Sequence, residues 1–226
     1  MVGPASRCPS CGRGLRWFEN VPVVSWILLG GRCRTCRNAI SMMYPTVEAV
    51  TAFVFALQCS QVGWQPLLGV RLVFVAVMIV LCVIDLQTKI LPDVITVPGV
   101  AVGLVSSCFL EPGWTSSLVG MVAGGVILWA TGRVYFLIRG QYGMGMGDVK
   151  MIAMIGFWMG LPTTIIIIIL SSLLGSLVGI GLILFRKMDR NQLIPYGSFL
   201  SLTAIILWIY NIISYFYEFE KNIFNF

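Results

Sequence analysis

The chain contains no histidine. That absence removes Ser-His-Asp and Cys-His catalysis, and every histidine-ligated metal centre, from the chemistry available to it. Charge is scarce as well. Charged residues make up 11% of the 226 positions, where a soluble domain carries about one quarter. Nine are acidic, so each carboxylate is worth locating. A secretory signal is also missing: the N-terminus is polar, basic and cysteine-bearing, with no apolar core after a charged opening. Insertion is therefore expected to be driven by internal apolar segments.

Those segments dominate the rest of the sequence. Hydrophobic residues reach 58%, and the mean hydropathy is +0.92. Residues 1–44 form a polar, basic module; apolar segments then run over 45–62, 67–84, 94–110, 115–138, 149–160, 163–185 and 198–217. Most approach the ~20 residues that cross a ~30 Å hydrocarbon core; the segment 149–160 is short and needs its flanks. Lipid cannot satisfy free backbone groups, so every span is expected to be helical. Gly63 with Pro66, Glu111-Pro112-Gly113, Leu161-Pro162 and Asp189 through Pro195 supply the breaks. The predicted fold class is an all-α polytopic membrane protein with about seven transmembrane helices. Residues 45–217 would form the membrane domain and residues 218–226 a polar and aromatic tail.

The net charge of +6 comes largely from Arg7, Arg13, Arg16, Arg32, Arg34 and Arg37. Beside a membrane span such a cluster marks the cytoplasmic side, and no nucleic-acid partner is predicted. With residues 1–44 in the cytoplasm, Asp85 and Lys89 return to that side after two spans. Arg139, Asp148 and Lys150 do so after four, and Arg186, Lys187 and Arg190 after six. The opposite loops, near 63–66, 111–114 and 161–162, hold no Lys or Arg. One orientation therefore satisfies every short loop and puts Asp85 and Asp148 on the same membrane face.

Cys8-Pro9-Ser10-Cys11 and Cys33-Arg34-Thr35-Cys36 are two C-x2-C pairs separated by 21 residues, close to zinc-ribbon spacing. Four thiolates from two tight knuckles complete a closed tetrahedral Zn²⁺ site, which is structural and does not activate water. The alternative is a set of reduced or disulfide-linked thiols, disfavoured by a cytoplasmic location. Cys59, Cys82 and Cys108 lie singly in apolar spans and read as packing residues.

Asp85 ends an apolar run in Val83-Ile84-Asp85-Leu86-Gln87-Thr88-Lys89, followed by Leu91-Pro92-Asp93. A carboxylate at a membrane boundary is costly unless paired, hydrated or used. Asp85 is thus either catalytic or an interfacial partner of Lys89, while Asp93 reads as a helix N-cap. Asp148 closes Gly143-Met144-Gly145-Met146-Gly147-Asp148-Val149-Lys150. Alternating glycines permit a close backbone approach, and the aspartate either caps the following helix or belongs to a site. Two neighbouring carboxylates are a sufficient hydrolytic set: one takes a proton from water while the other hydrogen-bonds the scissile carbonyl. Neither a metal at that site nor a covalent nucleophile is needed. Glu48, in Tyr44-Pro45-Thr46-Val47-Glu48, is expected in a helix's first turn, where an acid is electrostatically comfortable. Ile194-Pro195-Tyr196-Gly197 reads as the start of the last span, and the methionines of 144–159 as packing.

Taken in order, these residues resemble the type IV prepilin peptidase family, the bifunctional leader peptidases/N-methyltransferases. The likeness runs nearly end to end. It includes the double C-x2-C module with Asn20-Val21-Pro22-Val23-Val24-Ser25-Trp26 and Gly31-Arg32-Cys33. Tyr44 to Glu48, Ile84-Asp85 with Leu91-Pro92-Asp93, Gly145 to Lys150, and Ile194 to Gly197 follow in the family's order. The G-x-G-D motif by itself is shared with intramembrane aspartyl proteases of the presenilin type. The resemblance implies a multi-pass endopeptidase of the bacterial inner membrane. It would cleave the short basic leader of prepilin and pseudopilin precursors after a glycine, on the cytoplasmic side. N-methylation of the new terminus with S-adenosylmethionine would follow. It further implies Asp85 and Asp148 as the catalytic pair, with Gly145, Gly147, Lys150 and Glu48 in support. The zinc module falls on Cys8, Cys11, Cys33 and Cys36, and Glu48 is tied to methyl transfer. Family members usually begin with a span before the cysteine module, whereas this chain starts almost directly at Cys8: seven spans against an expected eight. A different class of reading is a zinc-ribbon membrane adaptor whose aspartates are caps. A transporter would need acidic groups deeper in the spans. Oligomeric state is not legible in the sequence.

Overall fold

The computed structural model describes residues 7–108, 112–141, 143–185 and 194–210. The expected turn residue Glu111, the basic Arg186, Lys187 and Arg190, and the tail 218–226 lie outside the described residues. Two compact units divide the chain, Met1–Trp64 and Gln65–Phe226.

The first unit is built on two copies of one local turn. Cys8 N–H donates to the Arg13 carbonyl at 2.9 Å and Gly12 N–H to the Cys8 carbonyl at 2.9 Å. The second copy repeats this, with Cys33 N–H on the Asn38 carbonyl at 2.8 Å and Arg37 N–H on the Cys33 carbonyl at 3.0 Å. Each turn is closed by an antiparallel bridge, Arg7 with Gly14 and Arg32 with Ala39. The geometry requires a left-handed residue just after the second cysteine. Gly12 fills that place at φ 68°, and Arg37 fills it at φ 58° against its own steric preference. A short 3₁₀ helix, Trp17–Asn20, carries buried Glu19. Its carboxylate accepts Arg16 N–H at 2.8 Å and both oxygens accept Arg13 Nη2, at 2.7 and 2.8 Å. The Arg16 amide first, and then the Arg13 guanidinium, hold its carboxyl below the usual range. Helix α1 (Val24–Leu28) and helix α2 (Met43–Val62) complete the unit.

The second unit is all helix among the described residues: α3 (Pro66–Thr88), α4 (Asp93–Ser107), α5 (Trp114–Arg139), α6 (Met146–Leu184) and α7 (Tyr196–Ile209). Among the described residues three helices, α3, α5 and α6, are long and apolar enough to cross a membrane, against about seven expected; α4 and α7 are shorter apolar helices, and α2, the expected first span, is not among the three. At ~1.5 Å per residue α6 would measure nearly 60 Å, twice a hydrocarbon core. It is not one rod. Gly160, at φ 74° and ψ 176°, breaks it. The expected segments 149–160 and 163–185 are its two halves, so the bend falls just ahead of the predicted Leu161-Pro162 break. A side chain at Gly160 would also strike Pro112 Cγ at 2.6 Å and Ser116 Oγ at 2.7 Å.

Packing is organised around α6, which lies against α4, α5 and α7, while α3 lies against α7. Helix α5 meets α6 backbone to backbone: a Cβ built on Gly120 would reach the Gly156 carbonyl oxygen at 2.7 Å. Close approach through small residues is the main source of helix association where lipid removes the hydrophobic drive. An aromatic group joins three helices, with Phe74 of α3 stacked at 4.4 Å on Trp208 of α7 and at 5.1 Å on Trp158 of α6. Trp158 Nε1 donates to the Gly99 carbonyl of α4 at 2.8 Å. Between α6 and α7, Ser171 and Thr203 share a 2.6 Å hydroxyl hydrogen bond. Met151, Met154 and Met159 are fully buried, as the packing reading of 144–159 expects, whereas Met146 is exposed.

Candidate functional site

Three helix ends converge in the second unit. Asp85 lies one turn before the end of α3, and Lys89 closes that helix in the left-handed conformation at φ 55°. Asp148 is the third residue of α6, and Tyr196-Gly197-Ser198 open α7. Asp85 is 3% exposed. Its Oδ2 accepts the Ser198 amide at 2.6 Å. The amide of the preceding residue, Gly197, interacts with the Asp148 carboxylate, as does the Gly145 amide. Both carboxylates therefore meet the start of α7, Asp85 on the Ser198 amide and Asp148 within electrostatic reach of the Gly197 amide. The two carboxyl groups act on one another electrostatically.

This arrangement blends the two alternatives open for each aspartate. Asp148 lies in the first turn of α6, where the helix dipole favours an acid, and within electrostatic reach of the Gly145 and Gly197 amides. Asp85 lies within electrostatic reach of Lys89, yet its short hydrogen bond goes to Ser198. Asp93 differs from expectation. Pro92 occupies the N-cap position and Asp93 the first turn of α4. Its two oxygens take Lys150 Nζ at 2.8 and 2.7 Å, tying the start of α4 to the start of α6.

The glycines have separate reasons. A Cβ on Gly197 would lie 3.1 Å from Asp85 Oδ2 and 3.0 Å from Leu91 Cδ1, and one on Gly147 would lie 3.0 Å from Leu91 Cβ. On Gly143 it would enter the Tyr135 ring at 2.6 Å. Those three are glycine because neighbours fill the space. Gly145 is different: it is exposed, and its nearest such contact is Asp148 Oδ2 at 3.7 Å. Room beside the Asp148 carboxylate is thus left at Gly145. The role of α7 is the part of the site that the sequence does not announce. Backbone amides leave no side-chain signature, and the sole hint is a glycine directly after Pro195-Tyr196.

The first unit gathers the other predicted residues. Cys8, Cys11, Cys33 and Cys36 bring their sulfurs within 4.8 Å of one another, with Cys8 Sγ and Cys36 Sγ 3.8 Å apart. A tetrahedral Zn²⁺ with bonds of about 2.3 Å sets its sulfurs about 3.8 Å from each other, so the donor set fits the ion. The amides of Cys36 and Thr35 hold the Cys33 thiol down to about 6. Those of Cys11 and Ser10 lower that of Cys8. Such N–H groups favour the thiolate a metal requires, whereas Cys36, despite the Asn38 amide, is pushed up to about 11 by burial and the neighbouring cysteines. Glu48 lies in the second turn of α2, not the first, and the helix dipole is not its reason for being there. Its Oε2 accepts the Val23 amide at 2.8 Å.

Comparison with known proteins gives a consistent result along the chain. The family model for the bacterial Peptidase A24 N-terminal domain matches residues 1–62, and that for the type IV leader peptidase family matches residues 72–180. A prepilin leader peptidase/N-methyltransferase of Aeromonas salmonicida is 37% identical over 215 residues, covering 92% of this chain and 72% of the relative. Proteins of the same name from Pseudomonas aeruginosa and Neisseria gonorrhoeae are each 35% identical. They cover 92% and 93% of this chain, and 73% of each relative. No solved structure matches the chain.

Proposed function

Because the chain belongs to the type IV leader peptidase family, we propose that Asp85 and Asp148 are its hydrolytic pair, acting on type IV prepilin or pseudopilin precursors. The protein is a multi-pass inner-membrane enzyme that removes the leader and methylates the new N-terminus. The observation that supports the assignment of the pair is the meeting of both carboxylates at the start of α7, where the Ser198 amide donates to Asp85 and Asp148 lies within electrostatic reach of Gly197.

One carboxylate takes a proton from water as the oxygen attacks the scissile carbonyl carbon, and the other donates a hydrogen bond to the carbonyl oxygen. Collapse expels the amine, which leaves with a proton. The rigid helix start preorganises the two acids, so little reorganisation is left for the reaction itself. The open space at Gly145 lets the extended backbone of the leader junction lie against Asp148. Lys150, clamped to Asp93, sets the position of the α6 start and hence of Asp148.

In the orientation we favour, the N-terminal module and the aspartate pair face the cytoplasm. The arginines of residues 7–37 and the positive charge near Lys89, Arg139 and Lys150 support it. The precursor's apolar helix would lie in the bilayer with its basic leader in the cytoplasm, bringing the cleavage point to the aspartates. The domain boundaries expected from the sequence, 1–44 and 45–217, belong to this proposal. Zn²⁺ would be held by Cys8, Cys11, Cys33 and Cys36, fixing two knuckles that have little apolar core of their own. S-adenosylmethionine would supply the methyl group. The test is incubation of the reconstituted protein with a prepilin and S-adenosylmethionine, read by mass spectrometry. Loss of the leader mass with a gain of one CH₂ on the mature product is expected; an intact precursor would refute the proposal.

A further inference from the structure

Helix α1 turns its apolar side outward. Val24, Ile27 and Leu28 are spaced i, i+3 and i+4, so they share one helix face, and they are 51%, 64% and 79% exposed. Trp26 falls on the opposite face and anchors the helix. A Cβ built on Gly31 would lie 2.7 Å from its ring, and its Nε1 donates to the Ile40 carbonyl at 3.2 Å. The outward direction of the stripe is thereby fixed. Large apolar residues scattered singly over a surface are ordinary, but three on one face of a short helix call for a covering partner.

Positive charge lies next to this face. The 3₁₀ helix Trp17–Asn20 packs on α1, and its Trp17 is 82% exposed. Over the ring of the next residue, Phe18, lie the guanidinium groups of Arg16 and Arg34, each with Cζ 6.0 Å from the ring centre. Both arginines are exposed, and the cation–π contacts hold their charge beside apolar side chains. Residues 1–44 hold six arginines and one carboxylate. That carboxylate, Glu19, is buried against Arg13.

A partner for such a face is apolar at its centre and anionic at its margin. A second copy of the same face does not qualify, since it would set arginine against arginine. The surface of an anionic bilayer does, and helices long and apolar enough to cross a membrane keep one within reach of this chain. Interfacial anchoring takes such a pair of signals, an apolar stripe that enters the acyl boundary and a basic patch for the phosphates. Exposed tryptophan suits the headgroup level as well.

We propose that the first unit docks on the anionic membrane surface, with Val24, Ile27 and Leu28 entering the acyl boundary and Arg16 and Arg34 meeting lipid phosphates. The inference does not depend on the peptidase or methyltransferase assignments. Trp26 links α1 to Gly31 and Ile40, which flank the second cysteine knuckle. Docking therefore sets the height of that knuckle relative to the lipid.

The experiment is photocrosslinking of the full chain in lipid nanodiscs, with benzoylphenylalanine replacing Leu28, Ile27 or Ser10 one at a time. Ser10 is exposed on the first knuckle and is carried by neither short helix. In nanodiscs of phosphatidylglycerol, the Leu28 and Ile27 probes are expected to give at least ~10-fold more lipid adduct by mass spectrometry than the Ser10 probe. Replacing phosphatidylglycerol by phosphatidylcholine, or Arg16 and Arg34 together by glutamine, is expected to lower that yield several-fold. Adducts to protein in place of lipid, on the same chain or on a second copy, overturn the proposal. Equal lipid labelling from stripe and control positions, or in both lipids, overturns it too.

Discussion

Asp85 and Ser198, 113 positions apart in the chain, are joined by a 2.6 Å hydrogen bond from the Ser198 amide to Asp85 Oδ2. The amide one residue earlier interacts with Asp148. One helix start thus acts as a gauge between two carboxylates that belong to different helices. A helix N-terminus carries unpaired N–H groups and a partial positive charge. It can therefore seat two acids without a metal or a basic side chain between them.

Gly197→Ala tests the gauge. The new methyl group would stand 3.1 Å from Asp85 Oδ2 and 3.0 Å from Leu91 Cδ1, so the carboxylate or the helix start must give way. Displacements below 1 Å at a reacting centre cost large factors in rate. We expect kcat for leader cleavage to fall about 10–100-fold while the helical content is unchanged. Cleavage at the wild-type rate would show that the amides of α7 do not set the pair.

The Lys150–Asp93 ion pair ties α4 to α6 two residues beyond Asp148. With side-chain exposures of 44% and 59%, it is worth at most about 1 kcal/mol to folding. Lys150→Ala should therefore shift thermal unfolding only slightly and slow cleavage a few-fold. The exchanged pair, Asp93→Lys with Lys150→Asp, should recover most of the loss. Recovery is the discriminating result, since a pair that merely decorates the surface would leave cleavage unaffected in all three proteins.

Metal analysis tests the cysteine cluster. Anaerobically purified protein should carry about one Zn²⁺ per chain, and Cys11→Ser with Cys36→Ser should abolish it. Metal-free wild-type protein with four titratable thiols in the module would contradict the zinc assignment.

The two knuckles differ at one informative place. Arg37 adopts φ 58° where its counterpart is Gly12 at φ 68°, and Arg37 is exposed. Arg37→Gly should relieve about 1 kcal/mol of left-handed strain and slow zinc loss to a chelator. Gly12→Arg should accelerate it. Equal chelation rates in all three proteins would mean that the turn conformation does not govern the site.

Much of this architecture is legible in the sequence because it rests on side-chain pattern. Among the described residues the apolar segments lie in helices, the C-x2-C pairs do meet, and the motif aspartates do converge. What escapes the sequence has identifiable causes. Gly160 ends the first half of α6 by backbone conformation, and Pro162 then sits at the start of the second half, where its missing N–H costs nothing. Asp93 follows a proline and looks like a cap, but the residue that decides its role, Lys150, is 57 positions away. Glu48 falls outside the expected first turn because its helix starts earlier, at Met43. The Gly197 and Ser198 amides are invisible because every residue but proline has one.

The most direct measurement follows the mass of a prepilin incubated with reconstituted wild type, Asp85→Asn and Asp148→Asn. An asparagine can occupy the same space yet neither accepts a proton from water nor supplies an acidic one. Each single variant is expected to insert and fold like wild type and to lose cleavage by at least ~10³-fold. Near wild-type cleavage by either variant would contradict the account.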